Sequence, residues 1–354
     1  MPVPGWPYSV ICALETGRNS WTAPLDALRL APDDDGATVT ARQMRELIER
    51  VIESGQWSQG DLDILIVVDA GYDVPRLAFL LKDLPVQVLG RMRSDRVLRR
   101  AAPPRETHTM GRPPRHGGEF VFGDPATWGR PDTETVAETR LYGKASAQAW
   151  DRLHPRLTHR SAWTPQLGAL PVIEGTVIHL KVQRLPSGAT PKPVWLWWSG
   201  TGATREDVDR LWQAFLRRFD IEHTFRFFKQ TLGWTCPKIR TPEAADRWTW
   251  LILAVYAQLR LARPPAAGLR RPWEKPSEPH KLTPDRVRRD FRHLRPKAAC
   301  PAGAPKPTSP GPGRPPGRKN ARPTPRHDVH TVRKRDTVKR KKKPSATPRP
   351  RRTG

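Results

Sequence analysis

The chain has 354 residues, with 62 Lys and Arg against 35 Asp and Glu, which gives a formal net charge of +27. This excess favours a polyanion such as DNA or RNA as partner over a membrane surface. The longest apolar runs, 64–68 and 251–255, are far shorter than the roughly 20 residues that cross a bilayer, and residues 1–17 do not resemble a signal peptide. Three scattered cysteines support neither a disulfide framework nor a zinc cluster, so we expect a protein of the reducing cytoplasm.

The first hundred residues predict alternating strands and helices. The unbroken apolar run 64–68 between Asp63 and Asp69 is typical of a strand buried on both faces. Asp69 therefore stands where a buried strand meets its loop, a common place for functional groups. The predicted elements are a strand at 8–15 followed by a turn at 17–20, a helix at 41–53 capped by Thr40, the strand at 64–68, a helix at 75–82 and a strand at 86–89.

The composition changes twice in the rest of the chain. Residues 102–202 are proline-rich with β-prone pieces, of which 172–182 and 194–198 are the clearest, and they predict a mostly β insertion. After Thr204 the hydrophobic period is helical. A helix over about 243–263, capped by Thr241, is apolar on almost every side, so we expect it to be buried. From 296 onward prolines and cations predominate and predict disorder.

The segment 215–229 carries the most informative pattern in the chain. On one continuous helix, at about 100° per residue, Phe215, Arg218, Glu222 and Lys229 fall within roughly 60° of one another. Such a face suits a metal ion held against a nucleic-acid phosphate, because the carboxylate takes the metal while Arg and Lys take phosphate oxygens. The alternative is a solvated helix face with ion pairs four residues apart.

The spacing of these four residues resembles the Tyr-Arg-Glu-Lys signature of one group of bacterial insertion-sequence transposases, with Phe215 in place of Tyr. Those are DDE enzymes of ribonuclease H-like fold, in which two Asp and one Glu hold Mg²⁺ or Mn²⁺. The resemblance implies that Asp69 and Glu222 are catalytic metal ligands, and that Arg218 and Lys229 contact the transposon end, together with Phe215. It also places a further Asp on a strand upstream of residues 8–15.

The resemblance leads to one organisation of the chain. We expect an α/β fold with a ribonuclease H-like mixed sheet flanked by helices, a mostly β insertion and a disordered basic tail. Residues 1–101 form the first part of the catalytic domain without its first strand, 102–202 the insertion, 203–295 the helical second part and 296–354 the tail. Because Asp26 and Asp33–Asp35 are poor substitutes for the upstream Asp, we expect a truncated transposase with weak or no strand transfer.

The partners follow from the same interpretation. Arg91 and Arg93 follow a strand near Asp69 and are expected to reach the DNA backbone, although a solvated loop is an equal alternative. The expected partners are transposon-end DNA and target DNA, and a homodimer on DNA is left open. The expected location is the cytoplasm, in association with the nucleoid. A competing interpretation is a non-catalytic DNA-binding remnant or inhibitor. RNA-binding and Rossmann alternatives lack their motifs. The tryptophans 163, 195, 197 and 198 are more typical of a core than of base stacking.

Overall fold

The structure is a computed structural model, and it describes residues 6–15, 20–104, 113–158, 170–269 and 278–294. Within these ranges the chain forms ten strands and seven α-helices. The strands are β1 Tyr8–Leu14, β2 Thr22–Arg29, β3 Ile64–Val68, β4 Val86–Met92, β5 Val97–Arg99, β6 Glu119–Val121, β7 Thr133–Thr139, β8 Gly143–Leu153, β9 Gly175–Val182 and β10 Val194–Trp198. The helices are α1 Gly36–Glu53, α2 Val74–Leu80, α3 Arg205–Arg217, α4 Phe219–Gln230, α5 Pro242–Leu261, α6 Arg263–Ala267 and α7 Pro284–Leu294.

Six strands form one mixed sheet in the order β3-β4-β10-β9-β8-β7. β3 and β4 are parallel, as expected for two strands joined by α2, and the other pairs are antiparallel. Because β10 pairs directly with β4, strands β7–β10 of the β-rich segment continue the main sheet. The expected α/β architecture with a mixed sheet flanked by helices is confirmed.

Each face of this sheet has its own apolar layer. One face packs α1, α2 and the small β5–β6 sheet against β3, β4 and β8–β10. The other face packs α3 against Leu89, Ile178 and Leu196. Trp195, Trp197 and Trp198 are buried in these layers, so they belong to the core and do not form an exposed stacking surface. Trp163 lies outside the described residues.

The hairpin β1–β2 belongs to a third layer. It is not hydrogen-bonded to the six-stranded sheet in the described part of the chain, and its residues Trp21 and Ala27 pack with α4, α5, α6 and α7. The Trp21 indole donates a hydrogen bond to the carbonyl of Leu282, across 261 positions of sequence. The hairpin therefore joins the first residues of the chain to its last described helix.

Gly90 sets the distance between β4 and α2. A Cβ at this position would lie 2.5 Å from a methyl of Val74 and 2.6 Å from a methyl of Val68, closer than side chains approach. Only glycine therefore lets α2 pack directly over the end of the parallel pair. This packing fixes the end of β3, where Asp69 follows.

The structure corrects several predicted elements. β2 was not predicted, and α1 begins at Gly36 with Asp35 as its N-cap, because the Asp35 carboxylate accepts the amide hydrogen of Ala37. The helix across 215–229 was predicted to be continuous and is interrupted at Arg218. Thr241 caps α5 as predicted, but one face of this helix is exposed. The segment 17–19 and the tail from 296 lie outside the described residues.

Candidate active site

Asp69 directly follows β3 and stands at an edge of the sheet. Val68 is opposite Gly90 in the parallel register, so Asp69 is placed alongside Arg91 of β4. Its side chain is 48% exposed, and both carboxylate oxygens have partners within the chain. Oδ1 accepts the amide hydrogen of Ala70 at 2.8 Å, and Oδ2 accepts a hydrogen bond from Arg218 Nη1 at 3.1 Å. The contact with Arg218 joins residues 149 positions apart.

Arg218 is held in place by two aromatic rings. Its guanidinium carbon lies 5.4 Å from the ring centre of Phe215 and 5.0 Å from that of Phe219, within the range of cation–π attraction. Its side chain is only 12% exposed, and its Nε is buried without a hydrogen-bond partner. Arg218 is therefore a desolvated cation directed at the carboxylate of Asp69.

The chain turns more tightly at Arg218 than an α-helix does. The Arg218 amide donates to the carbonyl of Phe215 at 3.2 Å, and the Ile221 amide donates to the carbonyl of Arg218 at 3.0 Å, both over three residues. The predicted single stripe is therefore divided between α3 and α4. Phe215 is 2% exposed and packs on the buried side of α3, where its ring supports the guanidinium of Arg218.

Glu222 lies in the first turn of α4, four residues after Arg218. Arg218 keeps right-handed helical torsion angles, and the tighter turn at this residue separates it from Glu222 in α4. The Glu222 side chain is exposed and has no hydrogen bond or ion pair with any described residue. The structure thus brings Arg218 to Asp69 and leaves the carboxylate of Glu222 unpaired, four positions further along the chain.

The other predicted cationic side chains differ in whether they are already paired with an acidic side chain. Lys229 is exposed in the last turn of α4, about 10 Å along the helix from Glu222. Arg91 is exposed, and because Gly90 faces α2, alternation along the strand turns Arg91 to the face that carries α3. Arg93 is paired with Asp95 at 2.6 Å. Arg91 and Lys229 therefore have side chains available to an anion, whereas Arg93 must first leave Asp95.

A second acidic residue at a strand end was missed by the sequence interpretation. Glu15 follows β1 and is 16% exposed, with Arg260 at 2.6 Å on one oxygen and Arg263 at 2.8 Å on the other. The Glu15 carbonyl accepts a hydrogen bond from Arg217, the neighbour of Arg218. The signal in the sequence was the same as for Asp69, an acidic residue immediately after an apolar strand.

Asp220 also lies at the α3–α4 junction. Burial raises the pKa of its carboxyl, and Arg217, 3.6 Å away, opposes this shift. The acids Asp34 and Asp35 have local structural roles: Asp34 accepts the Ala31 amide hydrogen, and Asp35 caps α1 and pairs with Arg76. Neither is part of the arrangement around Asp69.

The donor chemistry at Asp69 and Glu222 fits a hard divalent cation, since both offer carboxylate oxygens. The described residues contain no group of three or more His, Cys, Asp and Glu side chains arranged to hold a metal. Oδ2 of Asp69 is also engaged by Arg218. A cation that binds Oδ2 of Asp69 therefore competes with a guanidinium for the same oxygen.

The comparisons with known proteins bear on the first part of the chain. Residues 1–156 match the family model described as DDE superfamily endonuclease, which supports a protein of DDE transposase type. The match includes Asp69 and ends before Arg218 and Glu222, so the four-residue signature is not part of it. No curated protein matches the chain. Among the described helices, none is long and apolar enough to cross a membrane.

Proposed function

We propose that this protein binds DNA ends and acts on their phosphodiester bonds. The proposal starts from the match of residues 1–156 to the DDE superfamily endonucleases, which supports a protein of DDE transposase type. Asp69 and Glu222 are the proposed catalytic carboxylates, and Mg²⁺ or Mn²⁺ is the proposed cofactor. The inverted-repeat ends of an insertion sequence are the proposed substrate, with transfer of the cleaved strand to target DNA. The protein would act on DNA in the cytoplasm, associated with the nucleoid.

The observation that carries the proposal is the 3.1 Å contact between Asp69 and Arg218. The family match covers Asp69 but not the helical segment, and the contact links the two. It puts the α3–α4 junction at the end of β3, and Glu222 lies in the first turn of the helix that follows this junction. On this basis we infer that one bound DNA strand meets both Asp69 and Glu222, which are 153 positions apart in the sequence.

The chain's own side chains would divide the work as follows. Asp69 and Glu222 would hold the cation through carboxylate oxygens, and the bound ion would supply activation of the attacking oxygen and neutralisation of charge on the leaving oxygen. Arg91 and Lys229 would bind phosphate oxygens on either side and fix the register of the strand. The net charge of +27 would supply affinity that does not depend on sequence.

Arg218 is proposed as a positioning residue. Without a divalent ion, it neutralises Asp69 and keeps the carboxylate at the end of β3. When an ion takes Oδ2, the guanidinium remains on the Phe215 and Phe219 rings and is free to bind a phosphate oxygen. The Arg218 guanidinium thus stays next to Asp69 whether or not a divalent ion is bound.

A second function, DNA binding without catalysis, is favoured by the metal-site geometry. The described residues offer no third ligand, and Asp69 is neutralised by Arg218. In this case the protein would occupy element ends and compete with active enzyme, and strand transfer by this chain would be impaired. The basic surface needed for binding is common to both functions.

The test separates binding from cleavage. Duplexes that bind the protein are enriched from a random-sequence pool, labelled at one 5′ end and incubated with the protein and Mn²⁺ or Mg²⁺. Cleavage that is lost in Asp69→Asn and in Glu222→Gln supports the catalytic function. The matched control is Asp63→Asn, at the opposite end of the same strand, which should cleave normally.

Binding whose affinity falls steeply with salt, without cleavage in either metal, would support the non-catalytic function. Cleavage that persists in both Asp69→Asn and Glu222→Gln would refute the assignment of the site. Absence of DNA binding at about 50 mM salt would refute both functions.

A further inference from the structure

Two hairpins of the main sheet extend past the candidate active site. The strand register leads from Arg91, alongside Asp69, through β10 and β9 to Ala149 of β8. β8 begins at Gly143, six residues beyond Ala149 on the side of the sheet where β3 ends. At about 3.3 Å per residue, the β7–β8 hairpin therefore reaches roughly 20 Å past the level of Asp69.

This projection is basic. It consists of residues 138–144 and 181–193, the β7–β8 turn and the β9–β10 connection with their adjoining strand ends, which we call the hairpin arm. The arm has five cationic side chains, all exposed and none in an ion pair with a described residue: Arg140, Lys144, Lys181, Arg184 and Lys192. Its single acidic residue, Glu138, is opposite Lys144 in the register but forms no ion pair with it. The charge of the arm is therefore left for an external anion.

The arm is preformed, because its two parts are hydrogen-bonded to each other. The Arg184 amide donates to the carbonyl of Tyr142 at 3.0 Å, and the Arg184 guanidinium donates to the carbonyl of Arg140 at 2.9 Å. The Gln183 side chain accepts the amide hydrogen of Lys144 at 3.1 Å. A surface that is already ordered loses little conformational entropy when it binds a ligand. Arg184 contributes to this order, whereas the other four cations have no such structural contact.

The chemistry of the arm indicates the backbone of a duplex as its ligand. Cations spread over roughly 20 Å match a DNA duplex, which has about six base pairs and about twelve phosphates over that length. Proteins bind the bases of a single strand by stacking them on exposed aromatic rings. The only aromatic residue of the arm, Tyr142, is half-buried and packs in the apolar layer under α3. The arm thus offers charge to phosphates and no ring to an unpaired base.

We propose that the hairpin arm binds the double-stranded DNA that flanks the reacting phosphodiester, over about six base pairs. This inference rests on the proposed function, which puts the reacting phosphodiester at Asp69 and Glu222. The lysines of the arm bind phosphate oxygens, so they add affinity and fix the path of the duplex without selecting its sequence. The arm acts on binding, and the carboxylates act on the reaction.

The first experiment compares two triple variants of the full chain. The arm variant replaces three lysines and keeps Arg184: Lys144→Gln, Lys181→Gln and Lys192→Gln. The control variant replaces three exposed arginines that form no ion pair with a described residue and lie near the opposite ends of β7, β8 and β10: Arg130→Gln, Arg156→Gln and Arg205→Gln. Fluorescence anisotropy with a labelled duplex of about 40 base pairs, from about 50 to about 300 mM NaCl, gives the slope of log affinity against log salt. The arm variant should lower this slope by about 2 to 3 and the control by less than about 1.

Hydroxyl-radical footprinting of the same complexes locates the contact. The arm variant should lose protection of about six base pairs at one end of the footprint, and the control should lose none. If the unchanged protein binds the duplex, equal slopes for the two variants with an unchanged footprint would overturn the inference and leave the proposed function standing. An unchanged protein that does not bind duplex DNA would overturn both.

A crosslinking measurement does not depend on the triple variants. Leu141→Cys, at the 44% exposed tip of the β7–β8 turn, is labelled with a photoactivatable azide in a chain whose Cys236 and Cys300 are replaced by Ser. It should crosslink to the duplex. Leu62→Cys, at a 92% exposed position before the start of β3, is the control and should not. Equal crosslinking from both positions, or crosslinking from position 141 to single-stranded RNA in preference to the duplex, would overturn the inference.

Discussion

Two acidic residues that each follow a strand of the same fold have opposite surroundings. Glu15 is held by Arg260 and Arg263 and is 16% exposed, whereas Asp69 is held by Arg218 alone and is 48% exposed. The arginines 217 and 218 reach from one helix junction to the two strand ends. A carboxylate enclosed by two cations is suited to fastening elements together. One that is half exposed and faces a single cation remains able to bind an ion.

The largest expected effect is on catalysis at Asp69. Asp69→Asn should reduce cleavage of an enriched DNA end by at least about 1000-fold, because an amide is a weaker ligand for a hard cation than a carboxylate is. The free energy of unfolding should fall by less than in a Glu15 variant, by about 1 kcal/mol, because Asp69 is half exposed and neutralises one arginine where Glu15 neutralises two. Cleavage rates and urea unfolding of the same preparations measure both. A large loss of stability with normal cleavage would assign Asp69 the role proposed for Glu15.

The next effect is on stability at Glu15. Glu15→Gln leaves Arg260 and Arg263 without their carboxylate and should lower the free energy of unfolding by about 3 kcal/mol. Cleavage per folded molecule should stay close to that of the unchanged protein. Urea denaturation followed by tryptophan fluorescence is the measurement. Full stability combined with lost cleavage would place Glu15 in the active site and remove the contrast with Asp69.

A smaller effect is expected on cation binding at Asp69. Arg218→Gln removes the positive charge beside Oδ2 and should raise the affinity for Mn²⁺ about tenfold, since two charges about 4 Å apart interact by about 1–4 kcal/mol at intermediate dielectric. Electron paramagnetic resonance of free Mn²⁺, in the absence of DNA, measures this directly.

The neighbouring Arg217→Gln serves as control for the Arg218 variant, because Arg217 contacts Glu15 and Asp220 instead of Asp69. Unchanged or weaker Mn²⁺ binding in Arg218→Gln would show that the guanidinium does not compete with the ion. If Asp69→Asn also leaves Mn²⁺ binding unchanged, the metal site itself is misplaced.

The smallest effect concerns the DNA backbone. Arg91→Gln should reduce the slope of log affinity against log salt by about 1, the value for one phosphate contact. Arg93→Gln should have less effect, because Arg93 loses its ion pair with Asp95 before it binds DNA. Fluorescence anisotropy with labelled duplex from about 50 to about 300 mM NaCl gives both slopes. Equal slopes for the two variants would contradict the distinction between the free and the paired arginine.

The sequence allowed the elements around Asp69 to be predicted well. The apolar run 64–68 is β3, the next segments are α2 and β4, and residues 194–198 are β10. These predictions succeeded because a strand buried on both faces requires an unbroken apolar run. β2 was missed because its sequence mixes a proline and two charged residues with apolar ones and has no clear alternation.

The geometry of the candidate site was predicted less completely. The spacing predicted Arg218 and Glu222 as site residues but assumed one straight helix, which made Phe215 part of an exposed stripe. The tighter turn at Arg218 rotates α3 relative to α4, so the same four residues divide into a buried ring, a desolvated arginine and two exposed charged side chains. Local periodicity contains no information about such a turn.

Local periodicity also failed to predict the exposed face of α5. Its sequence is apolar on almost every side, and this predicted burial, but only the side toward β2 and the other helices is covered within the described residues. Hydrophobic periodicity records which residues avoid water. It does not distinguish a neighbour in the same chain from one in another.

The sequence by itself determined the strand that ends at Asp69, the helical segment that carries Glu222 and the strong positive charge, because each depends on residues close together along the chain. Tertiary structure alone decided that Arg218 meets Asp69, that Arg217 meets Glu15 and that Phe215 is buried. The first two contacts span 149 and 202 positions, and the third depends on one turn of backbone. They arise only when separate apolar layers pack together and bring distant charges within reach of one another.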